Sequence, residues 1–177
     1  LLLASEKIII DQFVAEKAQL LARFLRSQRE VISSKDVTTT LATRVRYSEQ
    51  DMTILDWEGG IVLALDGDFQ SEIEVIKIAN YQLLRYRMID QRIEKRLETL
   101  RVDLHRRRRR SLFPSTSRRA LQQIIQERLT LLLDFERIDQ ELLMIGDWYT
   151  AQLYRAVFDE LYMDEWKQTV KSKLESL

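Results

Sequence analysis

The stretch that decides the fold runs from residue 76 to residue 104, IKIANYQLLRYRMIDQRIEKRLETLRVDL. Ile76, Ala79, Leu83, Tyr86, Asp90, Ile93, Leu97, Leu100 and Leu104 stand three or four residues apart along it. Such steps return to one face of an α-helix. Every member of the stripe except Asp90 is apolar or aromatic. The spacing predicts one helix over 70–109, about 60 Å long at about 1.5 Å per residue.

Downstream, SLFPSTS at 111–117 ends that helix. Pro114 has no N–H to give and its ring clashes with the preceding turn. Ser115, Thr116 and Ser117 are N-cap candidates for the next helix. A second stripe, Leu121, Ile124, Arg128, Leu131, Phe135, Ile138, Leu142, Ile145 and Tyr149, predicts that helix from near 117 to about 161, with Gly146 as a point for a kink. Asp164 is expected to cap a last helix over 165–177.

Upstream, residues 4–34 read as a helix with two adjacent apolar stripes. Phe13, Leu20, Phe24 and Val31 form one; Ile10, Val14, Leu21, Leu25 and Ile32 form the other. Its end is expected near Ser33-Ser34. Residues 38–66 break the helical period. MTILDW and IVLAL flank Glu58-Gly59-Gly60, which predicts a β-hairpin within two or three short strands. Asp66-Gly67-Asp68 then turns the chain. The expected fold is mainly α: a long antiparallel helical hairpin, 70–109 against 117–161, with an additional N-terminal helix and a small β-hairpin. A single domain over 1–177 is expected, with a β-rich insertion at about 38–66.

Composition narrows the function. Of 177 residues, 45% are hydrophobic, enough for a real core, and 32% are charged, with 4 Gly and 1 Pro, a balance that suits long helices. No cysteine is present, so disulfides and thiol nucleophiles are excluded. No apolar run approaches the roughly 18–20 residues that cross a bilayer, and the sequence reads as a soluble piece of a longer chain. Formal net charge is zero. That zero is segregated: residues 1–84 carry a net −4, residues 85–119 a net +9 and residues 120–177 a net −5. Basic and acidic regions of one chain, or of two copies, can therefore pair without any polyanion.

Within the basic centre, residues 105–119 hold His105 and seven arginines: Arg106, Arg107, Arg108, Arg109, Arg110, Arg118 and Arg119. The run lies at a predicted helix C-terminus, where cations are favoured. A solvated helix end or an intersubunit partner is the leading reading. Anionic lipid comes next and nucleic acid after it, because no aromatic is interleaved and no nucleic-acid motif accompanies the run. Asp90 and Arg128 each interrupt an apolar stripe, which calls for partners. In a hairpin centred near 113 they lie about 12 Å out of register. A buried polar network of Arg87, Asp90 and Arg128, each with its own partner, is expected, ahead of a catalytic carboxylate. Trp148, Tyr149, Tyr154, Phe158 and Trp166 read as helix packing or a partner surface. No metal-ligand spacing, phosphate loop or catalytic triad can be assembled, so no cofactor and no small-molecule substrate is implied.

Two stretches carry a resemblance over about 45–177. One is Ala79-Asn80-Tyr81-Gln82-Leu83-Leu84 followed by Arg87 and Asp90. The other is Gly146-Asp147-Trp148-Tyr149 with Ala151, Tyr154, Trp166 and Lys173-Leu174; Tyr47-Ser48 and Asp56-Trp57 precede both. The pattern resembles a group of uncharacterised bacterial membrane-anchored helical proteins, a domain of unknown function. The resemblance implies a hydrophobic anchor after the last helix and a clamp role for Arg87-x-x-Asp90. It implies no established activity. Together these readings lead to a non-enzymatic assembly or scaffold module, homo-oligomeric, in the cytoplasm or at the cytoplasmic face of the inner membrane. A nucleic-acid-binding module led by residues 106–110 stands as the alternative, and an enzyme using buried carboxylates as a second one.

Overall fold

The computed structural model describes residues 9–108, 115–140 and 147–176. It is mainly helical with a small antiparallel sheet. The order is α1 (Ile10–Leu25), α2 (Ser34–Thr40), β1 (Thr43–Val45), β2 (Asp51–Asp56), β3 (Gly59–Ala64), α3 (Gln70–Arg108), α4 (Ser115–Gln140), α5 (Trp148–Glu160) and α6 (Met163–Ser176). Two compact units result: Leu1–Ala79 with Ile145–Tyr162, and Asn80–Met144 with Met163–Leu177.

In the first unit the sheet order is β1-β2-β3. Successive side chains of a strand point to opposite faces. Met52 and Ile54 of β2 pack into a core with Ile10, Val14, Leu21, Ala22 and Leu25 of α1 and with Leu41. Thr53 and Leu55 occupy the other face and are buried as well, and α5 packs on β1 and β2. Helices thus cover the central strand on both sides.

The helix expected over 4–34 stops at Leu25, and a second one begins only at Ser34. Arg26 caps α1, Ser27 takes a left-handed conformation (φ 50°), and the Gln28 amide donates to the Arg23 carbonyl at 2.9 Å. That is a Schellman closure with serine where glycine is the usual choice. Ser33 begins α2 instead of ending α1: its hydroxyl accepts from the Asp36 amide at 3.1 Å and donates to the Asp36 carboxylate at 2.6 Å. Thr38, Thr39 and Thr40, expected near a strand, complete α2 because that cap starts the helix in front of them. Of the two stripes on α1, the one through Ile10, Val14, Leu21 and Leu25 is core. Leu20, Phe24 and Val31 are exposed.

The β-hairpin is present, with its turn displaced from the glycine pair. Asp56 pairs with Gly59 and Leu55 with Gly60, which leaves Trp57 and Glu58 as the loop. Both glycines lie inside β3, and at Gly60 a side chain would be crowded. A Cβ on Gly60 would come 3.3 Å from Leu55 Cδ2, its cross-strand neighbour. Asp66-Gly67-Asp68 turns the chain as expected, with Gly67 at φ 77°.

α3 runs almost as read, 39 residues against an expected 70–109. Its inward face is Val75, Ala79, Gln82, Leu83, Tyr86, Ile89 and Ile93. In the second unit Leu83, Tyr86, Ile89 and Ile93 of α3 are buried, as are Leu131 and Phe135 of α4 and Met163, Val170 and Leu174 of α6. The Tyr86 and Phe135 rings lie 5.9 Å apart, Arg92 pairs with Asp134 at 3.5 Å, and α4 contacts α6. The expected arm over 117–161 is not one helix. α4 ends at Gln140, and α5 starts afresh at Asp147, whose carboxylate accepts the Thr150 amide at 2.8 Å. That cap fixes a helix start inside the predicted arm.

Candidate functional site

Asp90 is the residue the sequence singled out, and its partner is Lys173. The α6 ammonium donates to Asp90 Oδ1 at 2.6 Å and to Glu94 Oε1 at 2.6 Å. One turn separates Asp90 from Glu94 on α3, so a single cation bridges two carboxylates. The Asp90 and Glu94 carboxylates together hold the Lys173 amine above its ordinary range, against a smaller opposing effect of burial. Arg87 reaches the same helix differently, its guanidinium 5.4 Å from the Trp166 ring centre. α3 and α6 are therefore tied at two points, Arg87 to Trp166 and Asp90 to Lys173. All four residues belong to the stretches that carried the resemblance.

The expected buried network of Arg87, Asp90 and Arg128 does not form. Arg87 and Arg128 are exposed, and Asp90 is half-buried. Among the described α4 residues Leu131 and Phe135 are buried, and Arg128, on the same face by its three- and seven-residue spacing, is exposed all the same. Arg87 does not clamp Asp90 either, because Lys173 already supplies the cation. Asp90 is thus one half of an ion pair, held through its Oδ1. Chain separation hid this pair: Asp90 and Lys173 are 83 residues apart.

The aromatic set divides. Tyr149, Tyr154 and Phe158 are buried, Trp166 is half-buried under Arg87, and Trp148 is exposed. The Tyr149 hydroxyl donates to Glu72 Oε1 at 2.8 Å, joining the first turns of α5 and α3. Burial pushes the phenol far above its ordinary value; Thr53 opposes the shift and Glu72 adds to it. A phenol held protonated this firmly is a fixed donor, unsuited to proton transfer near neutrality. Tyr47 packs edge-on against Tyr149 at 5.4 Å. Sequence reading missed Glu72, whose only signal was a carboxylate in the first turn of α3.

Among the described residues no group of three potential metal ligands converges, and none of their helices is long and apolar enough to cross a membrane. Arg109 and Arg110 lie outside the described residues, as do the side chains of Arg106, Arg107, Arg108, Arg118 and Arg119. What the surface does present is apolar. On α4, Ile125, Leu129, Leu132 and Leu133 are 57%, 54%, 39% and 60% exposed. Their spacing of four, three and one residues puts them on one face, centred about 130° round the helix from Leu131 and Phe135. The same helix carries two apolar stripes in its sequence, and the one through Leu131 and Phe135 is the more regular.

The fold and this surface define a mainly helical chain with a small antiparallel sheet and an uncovered apolar helix face. Residues 3–70, up to the start of α3, match a family described as "Uncharacterized protein MJ0711, N-terminal domain". The chain is also similar to the uncharacterized protein MJ0711 of Methanocaldococcus jannaschii, with 27% identity over 167 residues, 94% of this chain and 51% of that protein. The chain spans about half the length of the curated relative it matches. No solved structure matches it. The similarity is to uncharacterised proteins, in keeping with a domain of unknown function. This relative is archaeal, so it lends the expected bacterial group no support, and neither description mentions a membrane.

Proposed function

We propose that the chain is a non-enzymatic assembly module that associates with further copies of itself through exposed apolar helix faces. The observation that carries the reading is the outer face of α4. There four aliphatic side chains stay open to water while, among the described α4 residues, Leu131 and Phe135 are the buried ones. Monomeric proteins seldom leave a contiguous apolar patch of several hundred Å² uncovered. The ion pairs favour a structural part for the carboxylate that sequence reading had weighed for catalysis, since Asp90 is bound to Lys173. In this reading α3 and α4 run antiparallel as two arms, supported by Tyr86 against Phe135 and Arg92 against Asp134. A place at the cytoplasmic face of a membrane rests on the sequence resemblance alone. Alkaline carbonate washing of membranes from cells expressing the full-length gene tests it.

Self-association is tested by light scattering across micromolar concentrations at low salt. The expected result is a mass that rises with concentration. A strict monomer throughout overturns the reading.

A further inference from the structure

We propose that α4 recognises itself: it pairs antiparallel with α4 of a second copy, so that one outer stripe supplies both sides of the seam. This rests on the self-association reading above and names its surface and geometry.

The stripe has the form of a helix–helix seam. Ile125, Leu129, Leu132 and Glu136 recur at steps of four, three and four, with Leu133 beside them. At about 100° per residue all five fall within roughly a quarter of the helix circumference, and all five are open or partly open to solvent.

Charge identifies the occupant and its direction. By sequence, residues 115–128 carry Arg118, Arg119 and Arg128 against Glu127, a net +2. Residues 129–140 carry Glu136 and Asp139 against Arg137, a net −1, besides Asp134, which Arg92 of the same chain already holds. This order runs against the helix macrodipole, which favours anions at the N-terminus and cations at the C-terminus. No acidic residue stands in the first turn of α4. An antiparallel copy sets each basic half against an acidic half, whereas a parallel copy sets like against like. A two-fold axis midway between Leu129 and Leu132 puts Leu129 across from Leu132 of the partner subunit, and the reverse. The interface is then isologous and closes at two copies. In the same register Arg128 lies within one turn of Glu136 of the partner subunit.

Single-cysteine crosslinking in this cysteine-free chain tests the geometry, with light scattering beside it. In the proposed register Leu132→Cys lies about 4.5 Å along the axis from its counterpart, and Ile125→Cys about 16 Å. A disulfide needs Cα atoms within about 7 Å. Mild oxidation should therefore crosslink Leu132→Cys and leave Ile125→Cys monomeric. Arg128→Glu should weaken the dimer about tenfold, since two symmetric pairs become repulsive, and Arg128→Glu with Glu136→Arg should restore it. Leu129→Glu, on an exposed position, should abolish the dimer with unchanged far-ultraviolet circular dichroism. Crosslinking at both cysteines would mean a parallel pair and overturn the proposal. A parent dimer indifferent to Leu129→Glu would overturn it too, while leaving self-association standing. A monomeric parent overturns both.

Discussion

β2 and α4 are both rich in apolar residues, and the fold treats them differently. β2 buries Met52, Thr53, Ile54 and Leu55 in succession, because α1 closes one face of the sheet and α5 the other. α4 buries Leu131 and Phe135 and leaves Ile125, Leu129, Leu132 and Leu133 outside. Apolar content is thus no measure of how finished an element is. What matters is the number of its faces that the chain itself can cover, and β2 has both closed where α4 has one.

Paired truncation puts this contrast at greatest risk. Ile54→Ala should cost about 3–4 kcal/mol, a transfer loss plus a cavity in a covered layer. Leu129→Ala, measured at monomer-favouring dilution, should stay within about 0.5 kcal/mol. Urea unfolding reads both, and similar losses would mean that the α4 face is closed after all. Next in size is Lys173→Met, expected to cost about 1–3 kcal/mol because Asp90 and Glu94 lose their shared cation in a half-buried site. Tyr149→Phe should cost about 1–2 kcal/mol by leaving buried Glu72 without its donor. Ser27→Gly should instead stabilise the chain by up to about 1 kcal/mol, since glycine takes the left-handed conformation without the Cβ penalty.

Alkaline pH isolates the ion pair and the buried phenol. Lys173 and Tyr149 both titrate higher in the folded chain than their ordinary values. The folded state thus holds these protons more tightly, and their contribution is complete below about pH 10 and falls as pH rises beyond it. Thermal melts between pH 8 and 11 should show that fall, and it should be shallower in Lys173→Met.

What sequence reading recovered reflects the range of the forces involved. The α3 period persists over many turns, so its limits were legible to within a residue. The stripes on α1 are equally apolar, and only the sheet beneath the helix decides that Val14 is buried and Phe24 exposed. Gly59-Gly60 looked like a turn because glycine commonly serves one. Both sit in β3 instead, and the crowding of Gly60 by Leu55 across the strands leaves no local trace. Asp90 was correctly marked as needing a partner. Arg87 on the same helix or a neighbouring chain is the partner that local spacing offers, and Lys173, 83 residues on, lies beyond that range. The break at Asp147 was signalled by a cap residue after a glycine, and the apolar period running past it concealed the signal.

The length of α3 has a kinetic consequence. Its deeply buried side chains span Val75 to Ile93, and from Glu94 to Val102 its described side chains are exposed or partly so. One continuous helix therefore joins a stretch with deeply buried side chains to one whose described side chains lie nearer water. Amide hydrogens between 75 and 93 should exchange only through global opening, and those at 98, 99, 101 and 102 through smaller, local openings. Exchange rates should climb by several orders of magnitude along a single helix, without a break in its secondary structure.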